Sequence, residues 1–309
     1  MKFSPDISAP TNPMRFRITH VTRFKYERPA YESHNEVRLK PRQAPNQRTL
    51  GFSLQVTPPA SVVEYLDAFE NIVHAISVHD PHGELIVRAD SLVERTPALT
   101  TEGILPFSEF LAGDGLRSRE EYDFLHQSRY IPFSERLKRL FWSSRARMDE
   151  PVTDYARRIV QWVRDQFEYE PGATTVHSDI NQILRTGGGV CQDFAHLAIG
   201  ILRLAGVPAR YVSGYLAPRD RARPLGSQAS HAWLEALLPE SGWTGFDPTH
   251  GCLTNDYYVR IAVGRDYADV PPLHGVYRSA GGNQTMGISV EISDAGDDSA
   301  GSDRGATQQ

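Results

Sequence analysis

The spacing of apolar residues changes once along this chain, and that change restricts the fold to a β-rich part followed by a mixed part. Through about residue 100, apolar and polar residues alternate, which is typical of strands with one buried face. Phe16, Ile18 and Phe24 share one parity, and Arg17 and Lys25 share the other. Beyond about residue 134 the apolar residues recur with helical spacing instead. The sequence therefore predicts an α+β protein in which an all-β sandwich precedes a domain of helices and strands.

Glycine and proline residues set the predicted domain boundaries. Residues 14–100 are assigned to the β-sandwich domain, 101–133 to connecting loops, and 134–292 to the mixed domain, whose last strand ends at residue 292. Residues 1–13 are predicted to form a flexible N-terminus. Residues 293–309 are rich in Asp, Gly and Ser and are predicted to be a disordered tail.

One cysteine lies where a glycine-rich turn meets a predicted core helix. Cys191 follows Gly187-Gly-Gly-Val190, and apolar residues then recur at helical spacing as far as Ala205. The N-terminus of a helix presents unpaired backbone N–H groups and a positive dipole end, which lower the pKa of a thiol placed there. Because the thiolate is the nucleophilic form, the sequence predicts that Cys191 is a reactive thiol.

A predicted hairpin supplies the base that such a thiol needs and a carboxylate to orient that base. In the strand after Ser230, the alternation turns His231 away from the apolar face. A hairpin centred near Pro239 places His231 directly opposite Asp247 and Trp233 opposite Gly245, where the absent side chain leaves room for the indole. The sequence therefore predicts a Cys–His–Asp catalytic triad.

Four stretches resemble the successive core motifs of bacterial transglutaminase-like proteins, which are members of the papain-like thiol superfamily. They are Gly188-Gly-Val-Cys191-Gln-Asp-Phe-Ala-His196, Gly206-Val-Pro-Ala-Arg-Tyr-Val-Ser-Gly-Tyr215, Ser230-His-Ala-Trp233 and Gly242-Trp-Thr-Gly-Phe-Asp-Pro-Thr249. The N-terminal strands also resemble the β-rich domain that precedes this core. The resemblance implies a core in which the cysteine-bearing helix packs on an antiparallel sheet that carries the histidine and the aspartate. It also implies Cys191 as nucleophile, His231 as general base and acid, and Asp247 as the residue that orients His231.

The tetrahedral intermediate of acyl transfer needs hydrogen-bond donors for its oxyanion. The backbone N–H of Cys191, at the start of the helix, is the expected first donor. The second donor stays open among Tyr169, His177 and Gln192.

The expected reaction is thiol-dependent acyl transfer from a peptide, isopeptide or other amide through a thioester on Cys191. Hydrolysis is favoured, because the resemblance is to prokaryotic proteins and the sequence has no calcium-binding loop. A protein-glutamine amine transferase, that is a transglutaminase, is one alternative. A binding or scaffold module with an idle thiol is the other.

Composition and charge narrow the partners and the location. The formal net charge of −5 gives no reason to expect nucleic acid as a partner. No signal-peptide-length apolar run and no stretch of membrane-spanning length occur, so we expect a cytoplasmic protein without a membrane partner. With only Cys191 and Cys252 available, we expect reduced thiols rather than a disulfide framework. The oligomeric state stays open.

Histidines are frequent in the β-rich part, but their pattern does not match a known metal motif. His74, His79 and His82 lack accompanying cysteines or a clear pattern of carboxylates. They are predicted to be ordinary strand and turn residues. Neither a metal ion nor another cofactor is expected.

Overall fold

The structure is a computed structural model, and it describes four stretches of the chain: residues 13–97, 103–112, 119–218 and 230–296. Residues 1–12 of the predicted flexible N-terminus and residues 297–309 of the predicted tail lie outside these described residues. The elements within them follow the predicted order, with strands first and helices and strands afterwards. The α+β class is confirmed.

The N-terminal β domain is built around one long strand. Its strands are β1 (Met14–Val37), β2 (Gln47–Thr57), β3 (Ser61–Leu66), β4 (Ile72–Val78) and β5 (His82–Arg95). The first half of β1 pairs with β5 and the second half pairs with β4, with an irregularity between Lys25 and Ala30. Ile76 of β4 and Leu85 of β5 meet in one buried cluster. Both halves of the sheet therefore contribute to a common core, which confirms the all-β domain.

Helices occupy the middle of the chain and are separated by short strands. They are α1 (Phe107–Ala112), α2 (Arg119–Tyr122), α3 (Glu135–Ser144), α4 (Val152–Gln166), α5 (Ile180–Thr186) and α6 (Cys191–Leu204), with the two-residue strands β6 (Glu168–Tyr169) and β7 (Gly188–Gly189). The first two helices lie within residues 101–133, which were predicted to be loops, and each is too short to show a helical period. Within the described residues, no helix is both long and apolar enough to cross a membrane.

A second sheet follows and carries two of the predicted site residues. Its strands are β8 (Ala209–Leu216), β9 (Ser230–Leu238), β10 (Gly242–Asp247), β11 (Cys252–Leu253) and β12 (Tyr258–Gly264). All of its pairings are antiparallel, in the order β11-β10-β9-β8-β12. Helix α6 packs its apolar side on this sheet, with Leu197 and Ile201 in the same buried cluster as Leu234 and Ala236. The predicted packing of the cysteine-bearing helix on an antiparallel sheet is confirmed.

The last two strands return to the first sheet, contrary to the predicted domain boundary. After a 3₁₀ turn at Tyr267–Asp269, β13 (Leu273–Ser279) and β14 (Gln284–Asp294) both pair with β1. The prediction that the mixed domain extends to residue 292 is therefore wrong, and β14 continues two residues into the predicted tail. An alternating strand shows which of its faces is buried, but not which sheet edge it joins.

The two domains share one hydrophobic core. Phe16 and Ile18 of β1 and Val290 and Ile292 of β14 belong to the same buried cluster as the apolar residues of α6. The shared core therefore contains side chains from β1 and β14 as well as from the helices.

The N-terminal β domain also caps the outer edge of β12. The side-chain amide of Gln47 donates to the carbonyl of Arg260 and accepts its N–H, at 2.7 and 2.8 Å. Asn71 makes the same pair of bonds with Val263, both at 2.8 Å. Both amide side chains are buried. Two carboxamides thus replace a neighbouring strand and satisfy backbone groups that an open edge would leave unpaired.

Candidate active site

The turn before α6 is held by an aspartate in the first turn of that helix. Gly187 ends α5 in a left-handed conformation, with φ of 79°. Asp193 accepts a hydrogen bond from the backbone N–H of Val190 at 2.8 Å and another from Thr174 Oγ1 at 2.5 Å. A Cβ at Gly189 would lie 2.8 Å from Asp193 Oδ2, so a side chain there would obstruct the aspartate. These contacts fix Cys191 as the first residue of α6, where its N–H has no partner within the helix.

The structure brings the other two predicted residues together, although the predicted hairpin register is wrong. Nε2 of His231 lies 2.8 Å from Oδ2 of Asp247. The observed pairs run from Leu238 with Gly242 to Leu234 with Phe246, which leaves a three-residue loop. A centre at Pro239 would have left a loop of one residue, shorter than any usual hairpin connection.

The error in register is two residues, and this even shift preserves the faces of both strands. His231 and Asp247 therefore stay on the same face of the sheet, as diagonal neighbours instead of directly opposed residues. Gly245, which was expected to face Trp233, lies opposite Glu235. The glycine that accommodates the indole is Gly214, where a Cβ would lie 2.4 Å from a Trp233 ring carbon.

His231 is hydrogen-bonded to both of its predicted partners. It contacts the Cys191 thiol as well as Asp247, and since Nε2 faces the carboxylate, Nδ1 is left for the sulfur. Burial alone would lower the pKa of His231. Hydrogen bonds with Asp247 and Cys191, together with the negative charges of these two groups, outweigh burial and raise this pKa to about 10. A protonated imidazole beside the thiol is therefore stabilised at neutral pH.

Asp247 is surrounded by donors that the sequence analysis missed. Its Oδ2 accepts from Tyr258 Oη at 2.8 Å and lies 2.6 Å from Nδ1 of His250. Its Oδ1 accepts the backbone N–H groups of Thr249 and His250. Burial raises the pKa of the Asp247 carboxyl, but the hydrogen bonds from His231 and His250 hold it well below its usual range. The carboxylate is therefore a fixed, fully buried negative charge behind His231.

A signal for part of this arrangement is present in the sequence. An aspartate followed by Pro248, Thr249 and His250 is typical of a turn in which the carboxylate accepts backbone N–H groups two and three residues later. Nothing local to the sequence places Tyr258, because it comes from β12 on the far side of β8.

The three candidates for the second oxyanion donor lie in different surroundings. Gln192 is buried and its amide donates to the carbonyl of Val176 at 3.4 Å. Nδ1 of His177 lies 3.5 Å from the hydroxyl of Tyr130. Tyr169 is half exposed, and β6 pairs it with Gly189, two residues before the thiol. Burial raises the pKa of Tyr169, as do the nearby charges of Cys191 and Asp247. Of the three, Tyr169 combines a half-exposed side chain with a backbone pairing two residues from Cys191.

Two further groups, a buried histidine and the second cysteine, have partners other than the Cys191 thiol. His196 is fully buried, and burial and the charge of Arg203 lower its pKa to about 3, so it stays neutral. Its Nε2 accepts the backbone N–H of Tyr267. Cys252 Sγ lies 3.9 Å from the Tyr258 hydroxyl, and neither cysteine forms a disulfide. Neither group provides a second nucleophile–base pair.

His231, Asp247 and His250 also lie close enough to one another to be considered as metal ligands. The distances from Oδ2 of Asp247 to the two ring nitrogens, 2.8 and 2.6 Å, are hydrogen-bond lengths. Two ligand atoms on one tetrahedral Zn²⁺ stand farther apart, at about 3.3–3.4 Å, because each bond is about 2.0–2.1 Å long. The geometry favours a hydrogen-bonded group.

Two family models match the chain over the regions that carry these features. The model of the transglutaminase-like superfamily matches residues 142–248, which include Cys191, His231 and Asp247. The model of the bacterial transglutaminase-like N-terminal region matches residues 16–94, which correspond to β1–β5.

Similar proteins extend this likeness to nearly the whole chain. An uncharacterized protein of Mycobacterium leprae is 35% identical over 285 residues, covering 90% of this chain and 98% of the relative. A protein-glutamine gamma-glutamyltransferase of Pseudomonas aeruginosa is 32% identical over 107 residues, covering 33% of this chain and 16% of that protein. The crystal structure of a "Putative Cysteine Protease" from Cytophaga hutchinsonii has a TM-score of 0.73 at 24% identity, covering 93% of this chain and 92% of the other. That structure shares the fold.

Proposed function

Because the chain belongs to the transglutaminase-like superfamily, we propose that it is a thiol-dependent acyl-transfer enzyme that cleaves a peptide, isopeptide or other amide bond. One observation carries the proposal: Cys191 begins a helix and is hydrogen-bonded to His231, which is in turn hydrogen-bonded to the buried Asp247. A nucleophile, a base and a group that orients the base are the three parts that covalent catalysis by a thiol needs.

In the first half of the reaction, the Cys191 sulfur attacks the amide carbonyl and forms a tetrahedral intermediate. Protonated His231 gives its proton to the nitrogen of the leaving amine, the C–N bond breaks, and a thioester remains on Cys191. Asp247 holds the imidazole in position and stabilises its positive charge. The raised pKa of His231 suits this role because it keeps the proton available beside the thiol.

In the second half, neutral His231 accepts a proton from the acyl acceptor as the acceptor attacks the thioester. The acceptor forms the new bond to the carbonyl carbon, the C–S bond breaks to release the Cys191 thiolate, and the proton stays on His231, which restores the resting pair. With water as acceptor, the product is a carboxylic acid.

Two donors stabilise the oxyanion in both halves. The first is the backbone N–H of Cys191, which has no partner within α6. We assign the second to the hydroxyl of Tyr169, because the pairing of β6 with β7 places it beside the turn that carries the thiol. The influence of the Cys191 charge on the pKa of Tyr169 supports this assignment.

Hydrolysis is the reaction that we propose first, and amine transfer is the second candidate. The second is favoured by the partial similarity to a protein-glutamine gamma-glutamyltransferase, which covers 16% of that protein. The acceptor depends on whether water or an amine reaches the thioester. A scaffold with an idle thiol is the non-catalytic alternative, and it does not need the hydrogen bonds that link Cys191, His231 and Asp247.

The test is a panel of peptide and γ-glutamyl amides incubated with the enzyme, with and without a primary amine, and analysed by mass spectrometry. Reactions in ¹⁸O-labelled water distinguish hydrolysis, which incorporates one ¹⁸O into the released acid, from transfer, which produces a new amide. Cys191→Ala is the inactive variant, and Cys252→Ala is the matched control because it removes the other thiol, which forms no bond to the substrate in the proposed mechanism.

Labelled acid formed by the parent and by Cys252→Ala, but not by Cys191→Ala, supports hydrolysis. A new amide formed in preference to the acid supports amine transfer. Equal turnover by the parent and Cys191→Ala would exclude any thiol mechanism at this site.

A further inference from the structure

A second group of histidines and a carboxylate lies in the N-terminal β domain, where two strands meet. Glu32 and His34 belong to β1, and His79 follows the last residue of β4. The pairing of β1 with β13 is irregular between Tyr31 and His34. Glu32 adopts a positive φ of 49°, which is uncommon for a residue other than glycine. The backbone N–H of Glu32 donates to the carbonyl of His79, so this conformation ties β1 to the end of β4.

We propose that Glu32, His34 and His79 bind a divalent transition-metal ion, with Zn²⁺ as the best-matched ion. One Glu32 carboxylate oxygen lies 3.1 Å from Nδ1 of His79, a hydrogen bond that a bound metal ion would replace, and 3.6 Å from Nε2 of His34. Atoms bound to one tetrahedral Zn²⁺ stand about 3.3–3.4 Å apart, and these two separations bracket that value. All three ligand atoms lie within 4.8 Å of one another. Two imidazoles and a carboxylate form a common zinc ligand set.

A neighbouring hydroxyl orients one of the two histidines. His34 lies opposite Ser77 in the β1–β4 ladder, and its Nδ1 is 3.0 Å from Ser77 Oγ. When Nδ1–H donates to this hydroxyl, the lone pair is on Nε2, the atom that faces Glu32. Metal-binding histidines usually have such a partner on their second nitrogen.

The site is open to solvent, which allows an ion to enter and water to complete its coordination. The side chains of Glu32, His34 and His79 are 42%, 49% and 61% exposed. The positive charge of Arg278 acts on Glu32 and opposes a bound cation. Removing that charge is therefore expected to tighten binding, whereas it would not affect an ion held elsewhere.

The test is calorimetric titration of Zn²⁺ into the full chain carrying Cys191→Ser and Cys252→Ser, which removes the thiols as competing ligands. In this background we compare Glu32→Gln, His34→Gln and His79→Asn. Glu64→Gln is the matched control, because Glu64 lies 3.0 Å from Nε2 of His74 but belongs to no three-residue metal group among the described residues. The visible spectrum of bound Co²⁺ reports tetrahedral coordination independently of activity.

We expect each of the three ligand variants to lose one bound Zn²⁺ and the associated tetrahedral Co²⁺ band, and Glu64→Gln to keep both. Ser77→Ala should weaken binding by roughly 10-fold or more, as expected for loss of a partner that orients a ligand. Arg278→Gln should strengthen binding. Circular dichroism checks that each variant is folded. If His34→Gln and His79→Asn keep the stoichiometry and the Kd of the background, or if the background binds no Zn²⁺, the proposal is wrong.

Discussion

Replacing Asp247 by asparagine removes the charge behind His231 while keeping the size of the side chain. The carboxylate oxygens accept from His231, His250, Tyr258 and two backbone N–H groups. An amide has one oxygen, so its NH₂ must face either the two backbone donors or the three side-chain donors. Each buried donor left without an acceptor costs about 1–3 kcal/mol, and the less costly orientation of the amide leaves two donors unpaired. We therefore expect a loss of about 2–6 kcal/mol in the free energy of unfolding.

The same substitution alters the equilibrium between the thiolate–imidazolium pair and the neutral thiol–imidazole pair. An opposite charge within hydrogen-bonding distance shifts a pKa by about 1–3 units, so loss of the Asp247 charge lowers the raised pKa of His231 by about that amount. Each unit changes the equilibrium by about tenfold. We therefore expect the rate of alkylation of Cys191 by iodoacetamide at pH 6 to fall, by up to about tenfold for each unit by which the pKa of His231 is lowered.

The assay needs no substrate and uses the Cys252→Ser background, in which Cys191 is the remaining thiol. Glu235→Gln is the matched control, since Glu235 is another buried carboxylate on the same strand as His231, but its partners are Arg210 and Arg260. The Glu235→Gln substitution should lower the free energy of unfolding and leave the alkylation rate of Cys191 unchanged. Equal alkylation rates for Asp247→Asn and its parent, or an equal decrease in Glu235→Gln, would refute the reasoning.

Three further predictions test other parts of the structure. Tyr258→Phe removes one donor to Asp247, so we expect chemical denaturation to show a loss of about 1–2 kcal/mol, with alkylation at pH 6 retained because His231 keeps its own bond to the carboxylate. Asn71→Ala leaves the buried N–H and carbonyl of Val263 without these partners, and a loss below about 2 kcal/mol in the same assay would contradict the capping of β12. Burial and the charge of Arg203 lower the pKa of His196 from 6.5 to about 3, so the unfolded chain binds one more proton between these values. The stability that comes from keeping His196 neutral is therefore fully present above pH 6.5 and is lost as the pH falls. In His196→Gln, the free energy of unfolding measured by chemical denaturation should fall less steeply with decreasing pH, by about 1.4 kcal/mol per pH unit between about pH 4 and 6.

The sequence was sufficient to predict the faces of the strands but not their partners. Alternation around His231 and Asp247 determines that both side chains point the same way, and this held although the register was wrong by two residues. The register depends on the conformation of the three-residue hairpin loop and of Gly242, which begins β10 directly after it with a positive φ of 66°. This property of the turn is not visible in the alternation of the strands.

Contacts between residues far apart in sequence were the ones that could not be predicted. Tyr258 reaches Asp247 from β12, and the Gln47 amide reaches the same strand from the other domain. The β14 pattern did not reveal that its partner is β1. Each of these contacts is decided by the packing of whole sheets. By contrast, the thiol at the start of α6 is a local feature, because a glycine turn followed by an apolar helix specifies it within about fifteen residues.

The pairing of β1 with β14 also determines the order in which the protein can be completed during synthesis. Residues 16–26 of β1 leave the ribosome well before residues 284–294, the strand that covers one of their edges. Until then that edge is unpaired, and Phe16 and Ile18 lack Val290 and Ile292 as neighbours in the shared core. Pairing between such distant segments is slow, and an open edge favours association with other chains. A nascent chain that already contains Cys191, His231 and Asp247 therefore still lacks Val290 and Ile292 of the shared core, which β14 supplies after all three residues have been made.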